Sequence, residues 1–151
     1  MHALRIALPA LFLAFAPGAA TAASVGDELL KFGLIGVWAH DCTRAADGNN
    51  PYVIYEAPGS GPATRTLRMK TKGLDGVVSI DSARVADDGR LEIAWTQKEV
   101  TFRMVFAKDG SGRYRSVESV GSDGRTYIRD GRFANDDAEV QWFTKCQSPP
   151  S

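Results

Sequence analysis

The chain has 151 residues, 18 basic and 18 acidic side chains, and a formal net charge of zero. That balance argues against nucleic acid or an anionic membrane surface as the main partner, because both call for clustered basic residues. The length suits one domain with a single core, and two cysteines with His40, the one histidine beyond His2, are too few ligands for a zinc centre.

Residues 1–23 open with His2 and Arg5, run through the apolar stretch IALPALFLAFA, and end in small residues that offer an A-x-A site at Ala20-Thr21-Ala22. This is the plan of a secretory signal peptide. Pro9, Pro17 and Gly18 interrupt the run short of the ~20 apolar residues a membrane helix needs. The expectation is an exported protein, periplasmic or secreted, with a mature domain over residues 24–151 and no integral membrane span after cleavage.

Next, Asp27 and Glu28 precede Leu29, Leu30 and Phe32, which predicts one short helical turn ended by Gly33. From there the apolar period is two. Leu91, Ile93 and Trp95 alternate with Glu92 and Thr96, and Val100, Phe102, Met104 and Phe106 alternate with Thr101 and Arg103, the pattern of half-buried strands. Further strands are predicted over 34–43, 52–57, 64–71, 77–85, 114–120, 126–130 and 140–145. Turn signals separate them: DGNNP at 47–51, PGSGP at 58–62, LDG at 74–76, DDG at 87–89, KDGSG at 108–112, SDG at 122–124 and RDG at 129–131. Several contain Asp-Gly, which suits tight hairpins.

Short strands joined by hairpins, with no helix long enough for a crossover, predict an all-β antiparallel meander. Closure into one up-and-down barrel of about eight strands would remove its edges. Two cysteines in an exported chain read as a disulfide, Cys42 with Cys146, and a closed ring brings the two ends together. A nucleophilic Cys42 activated by His40 would instead need a thiolate kept reduced in an oxidising compartment. Asp87-Asp88 and Asp136-Asp137 read as solvated loop tips, and no serine stands in a nucleophile-elbow context. No catalytic set, metal site or cofactor is expected.

The inward positions are predicted to include Trp38, Trp95, Phe102, Met104, Phe106, Tyr114 and Ile128. These either fill the lumen or line a cavity for one small molecule. Tyr52, Tyr55, Arg103 and Arg115 are the candidate rim.

Gly36-Val37-Trp38 at the head of the first strand, after a short helical segment, resembles the opening signature of the lipocalin-like (calycin) barrels. The resemblance implies that Trp38 closes one end of the barrel and that an arginine from a late strand covers its ring, with Arg129 the first candidate and Arg125 the second. WAHDC, NPY and the terminal FTKC are also similar to small exported proteobacterial proteins, which supplies a location and no chemistry. A second resemblance is to the bacterial inhibitors of C-type lysozyme: Ser111-Gly112-Arg113-Tyr114 and Trp142-Phe143-Thr144-Lys145 echo their loop and aromatic-lysine segment. The spacing between the two pieces departs from that family, and KDGSGRY also reads as a plain hairpin.

Two functional expectations follow. One is a non-enzymatic binding module for a small, partly apolar ligand in the bacterial periplasm. The other is an envelope protein–protein module of the lysozyme-inhibitor kind, acting through Ser111 and Tyr114.

Overall fold

The computed structural model describes residues 23–147. The predicted export segment, but for Ala23, lies outside the described residues. The described chain is mostly β, with one short helix: α1 (Val25–Phe32), β1 (Gly36–Ala39), β2 (Tyr52–Glu56), β3 (Thr64–Arg68), β4 (Gly76–Ser79), β5 (Ser82–Val85), β6 (Leu91–Gln97), β7 (Val100–Lys108), β8 (Tyr114–Gly121), β9 (Thr126–Arg129), β10 (Arg132–Phe133) and β11 (Thr144–Cys146). Among the described residues no helix is long and apolar enough to cross a membrane.

The predicted helical turn is an eight-residue helix. Ser24 caps it by accepting a hydrogen bond from the Asp27 N–H at 3.1 Å, while the Asp27 carboxylate accepts from the Ser24 N–H, the reciprocal arrangement that satisfies two orphan donors. Gly33 ends the helix in the left-handed region, at φ 80°, where a side chain would be strained. Leu29 and Phe32 are buried, and the Glu28 carboxylate accepts from the Val85 N–H, so α1 packs its apolar side on the β5 edge.

The strands form two antiparallel sheets, ordered β11-β1-β2-β3-β4 and β10-β9-β8-β7-β6-β5. Hairpins make most neighbours. Between β6 and β7 the turn residues Lys98 and Glu99 both take positive φ, 49° and 65°, as a type I′ connection requires. The ladder between β6 and β7 runs from Leu91↔Phe106 to Gln97↔Val100, so the alternation read in both segments points to one interior.

One predicted element is corrected. The segment 77–85 is two strands in different sheets, and the single ring of ladders becomes two sheets. The change falls at Ile80 and Asp81: the Ile80 N–H donates to Ala63 O at 2.9 Å, ahead of β3, while the Asp81 N–H donates to Ala94 O of β6 at 2.8 Å. Ile80, 4% exposed, fills the corner, and burial there holds the chain as it changes partner. A second link between the sheets is a bridge in which Tyr114 and Phe143 exchange hydrogen bonds of 3.2 and 2.7 Å.

β11 pairs with β1, Val37 opposite Cys146, and Cys42 is disulfide-bonded to Cys146 with Cα atoms 5.5 Å apart. The two ends are joined as the cysteine count implied. The loop between β1 and β2 is organised by Asn50, fully buried, whose Nδ2 donates to the carbonyls of Asp41, Arg44 and Ala45 and whose Oδ1 accepts from the Asp41 N–H.

Candidate functional site

Side chains at one parity of β2, β3 and β4 face those of β6, β7, β8 and β9 across the space between the sheets. Near α1 that space is filled. Trp38, 2% exposed, lies edge-on to Tyr114, and Tyr55 and Phe106 both meet Tyr114 edge-to-face. The Trp38 indole N–H donates to Leu34 O at 2.6 Å, which ties the ring to the chain leaving α1.

Away from α1 the space opens into a cleft of two lobes. The first has a volume of about 570 Å³, walled by Leu67, Val78, Trp95, Phe102 and Tyr127. The second, about 420 Å³, is bounded by Tyr55, Phe106, Tyr114, Phe143 and His40. Arg65, Leu67, Met104, Ile128 and Phe133 line both, so the lobes are neighbours that share a wall. Each lies within the size range of small-molecule sites, and the walls are mainly apolar with a few polar groups, as such sites are.

Of the residues expected to meet a ligand, Tyr55, Trp95, Phe102, Met104, Phe106 and Tyr114 line the cleft. Three do not. Tyr52 is buried on the other face of its sheet, with Ala39, Ala46 and Cys146, and its hydroxyl donates to Arg44 O at 2.8 Å. Arg103 stands on the opposite parity from Phe102 and Met104 and bridges Glu92 and Glu118. Arg115 packs over the Trp142 ring, 4.6 Å from its centroid, and pairs with Glu139. Arg103 therefore belongs to the outer surface, where its charge is solvated, and Arg115 lies outside the cleft with its Nε buried and without an acceptor.

The barrel-closing set is corrected in one member. The cation over Trp38 is Lys145, its Nζ 5.5 Å from the ring centroid. Arg129 is exposed on β9, opposite Arg132, and Arg125 pairs with Asp123 in a turn. Gly36 stands beside this stack with φ 127°.

The Ser111 loop is a hairpin built around Asp109. That carboxylate accepts from the Ser111 hydroxyl at 2.7 Å and from Arg113 Nε at 2.8 Å, and these bonds hold Asp109 at about 2. Tyr114, 2% exposed, is a core residue. Burial first, and the Tyr55 hydroxyl beside it second, push its phenol well above the ordinary value, with the Arg65 charge pulling the other way. The pair Ser111 and Tyr114 therefore does not stand together on the surface.

The residue that the sequence reading passed over is Arg65. It lies on β3 opposite Tyr55 of β2 and Val78 of β4, with its guanidinium 5.1 Å from the centroid of Trp95. The signal was present: in TRTLR, Arg65 and Leu67 share one parity, and Leu67 is the apolar member of the strand. His40 borders the second lobe, its ring tilted 40° to that of Phe143 with centroids 4.2 Å apart, and Cys42 beside it is disulfide-bonded, so the two form no thiol–imidazole pair. No family model, curated protein or solved structure matches the chain.

Proposed function

We propose that this chain is an exported, non-enzymatic container for a small, partly apolar molecule, and that the two sheets act together as a flattened, lipocalin-like barrel. The observation that carries the reading is the cleft: apolar walls contributed by both sheets, blocked at the α1 end by the Trp38–Tyr114 cluster and open beyond it. The corner at Ile80–Asp81 and the Tyr114–Phe143 bridge support treating the sheets as one ring. A rigid wall of strands preorganises such a site and limits the ordering cost of binding. The resemblance at Gly36-Val37-Trp38 points the same way.

Native mass spectrometry of the protein isolated from a bacterial periplasm tests the reading. A bound small molecule, or displacement of a lipophilic dye by one, is expected. Protein that carries nothing and also fails to bind the dye would remove the container role.

A further inference from the structure

Arg65 is the one charged residue among those lining the first lobe. Its Nε is buried with no hydrogen-bond acceptor. Among the described residues no carboxylate forms an ion pair with it, although nine other pairs of basic and acidic groups do so. An unpaired charged donor in apolar surroundings is unfavourable, and a ligand that brings the acceptor relieves it. The guanidinium carbon lies over the Trp95 ring, 5.1 Å from its centroid, a contact that favours the cation at this wall.

We infer that Arg65 anchors the acidic head of the ligand, and that the cleft selects a singly charged amphiphile: an apolar body carrying one carboxylate. The inference rests on the container reading above. A guanidinium matches a carboxylate in two parallel hydrogen bonds, while Leu67, Val78, Phe102 and Ile128 receive the apolar body. A second negative charge has no cation to meet in the first lobe, and Asp136 and Glu139 border the second. Dianionic heads are therefore disfavoured, as are cationic ones, which would face Arg65 directly.

The test is displacement of a neutral fluorescent dye from the whole mature protein by dodecanoate, dodecanol, dodecylamine and dodecyl phosphate, each below its micellar concentration. Wild type is expected to bind dodecanoate about 10- to 100-fold more tightly than dodecanol, the span of a charge-assisted hydrogen-bonded pair, and the amine and phosphate more weakly than dodecanoate. Arg65→Gln is expected to abolish the advantage of dodecanoate over dodecanol, read as the ratio of the two affinities. Arg65→Lys, which keeps the charge and loses the fork, is expected to fall between. Equal binding of dodecanoate and dodecanol by wild type overturns the anchor and leaves the container standing. That comparison needs no variant, so a misfolded Arg65→Gln protein does not blunt it. Phosphate binding as tight as carboxylate overturns the single-charge selection. If neither the dye nor any of the four compounds binds, the container reading fails and the anchor with it.

Discussion

Lys145 stands opposite Trp38 in the β1–β11 ladder and holds its ammonium 5.5 Å from the centroid of the indole. The last strand thus covers the ring that fills the α1 end of the interior, the place the lipocalin-like resemblance gave to an arginine. The cover is close: a Cβ added at Gly36 would come within 2.8 Å of the Lys145 Cε, and Gly36 itself sits at φ 127°.

Gly36→Ala is expected to destabilise the protein by about 1–3 kcal/mol, the cost of a non-glycine residue held in that backbone region. Lys145→Ala is expected to cost no more than about 1 kcal/mol, since Lys145 is exposed and a solvated cation over an aromatic ring contributes little beyond that. Because the backbone strain remains when the lysine is shortened, the double variant should be no more stable than Gly36→Ala alone. Urea midpoints of the three variants decide this, and rescue by Lys145→Ala would show that the clash rather than the dihedral is what matters.

Reduction of the disulfide carries a larger effect. Cys42 and Cys146 are 104 positions apart, and cross-linking a loop of that size restricts the unfolded chain by about 4–5 kcal/mol on the chain-entropy model, with measured values often lower. Replacing both cysteines by serine is expected to lower unfolding free energy by roughly 2–5 kcal/mol. An unchanged urea midpoint under reducing conditions would contradict it.

Asn50 is a second structural centre, and polar. Its amide satisfies three carbonyls and one N–H within the β1–β2 loop, and it is fully buried. Asn50→Ala leaves those groups unpaired around a small cavity, and a loss of about 2–4 kcal/mol is expected. Asn50→Asp keeps the size but sets a carboxylate oxygen against the three carbonyl oxygens to which the amide donates, so it should be at least as damaging near neutral pH. Thermal unfolding of the two variants provides the measurement.

These sites differ in how far the sequence announces them. β6 and β7 are legible because Leu91, Ile93, Trp95, Phe102 and Phe106 alternate with polar residues and a short turn sets their register. The disulfide is legible from the cysteine count together with the expectation of export. The corner at Ile80–Asp81 is not, because a strand that changes partner keeps its alternation and only its hydrogen bonds move. Asn50 sits in DGNNP, which reads as any polar turn; what sets it apart is the folded loop, whose Asp41, Arg44 and Ala45 carbonyls converge on its amide. Arg103 and Arg65 show the parity rule from two sides. Arg103 is out of phase with its apolar neighbours and lies outside, whereas Arg65 is in phase with Leu67 and lies in the cleft. Charge alone had suggested a rim for the first and nothing for the second.

His40 gives the domain a pH dependence of predictable sign. Its ring packs at a tilt against Phe143 and its Nδ1 lies 3.1 Å from the Trp142 carbonyl oxygen. Burial lowers its pKa from the ordinary 6.5, and the hydrogen bond to Trp142 opposes that only in part. The unfolded chain therefore binds the proton more readily than the folded one, and stability rises with pH across the interval between the two values. What neutral His40 contributes is fully present above about 6.5 and is lost as pH falls from there through the lowered folded value. Asp27, Asp41, Asp47, Asp75 and Asp109, all held below 3.8, act in the same direction but only in stronger acid, so the histidine window is separable. Urea midpoints measured from pH 7.5 down to 4.5 should decline for wild type and stay flatter for His40→Gln. Parallel curves for the two proteins would mean that the imidazole is not the group that couples protonation to unfolding in this range.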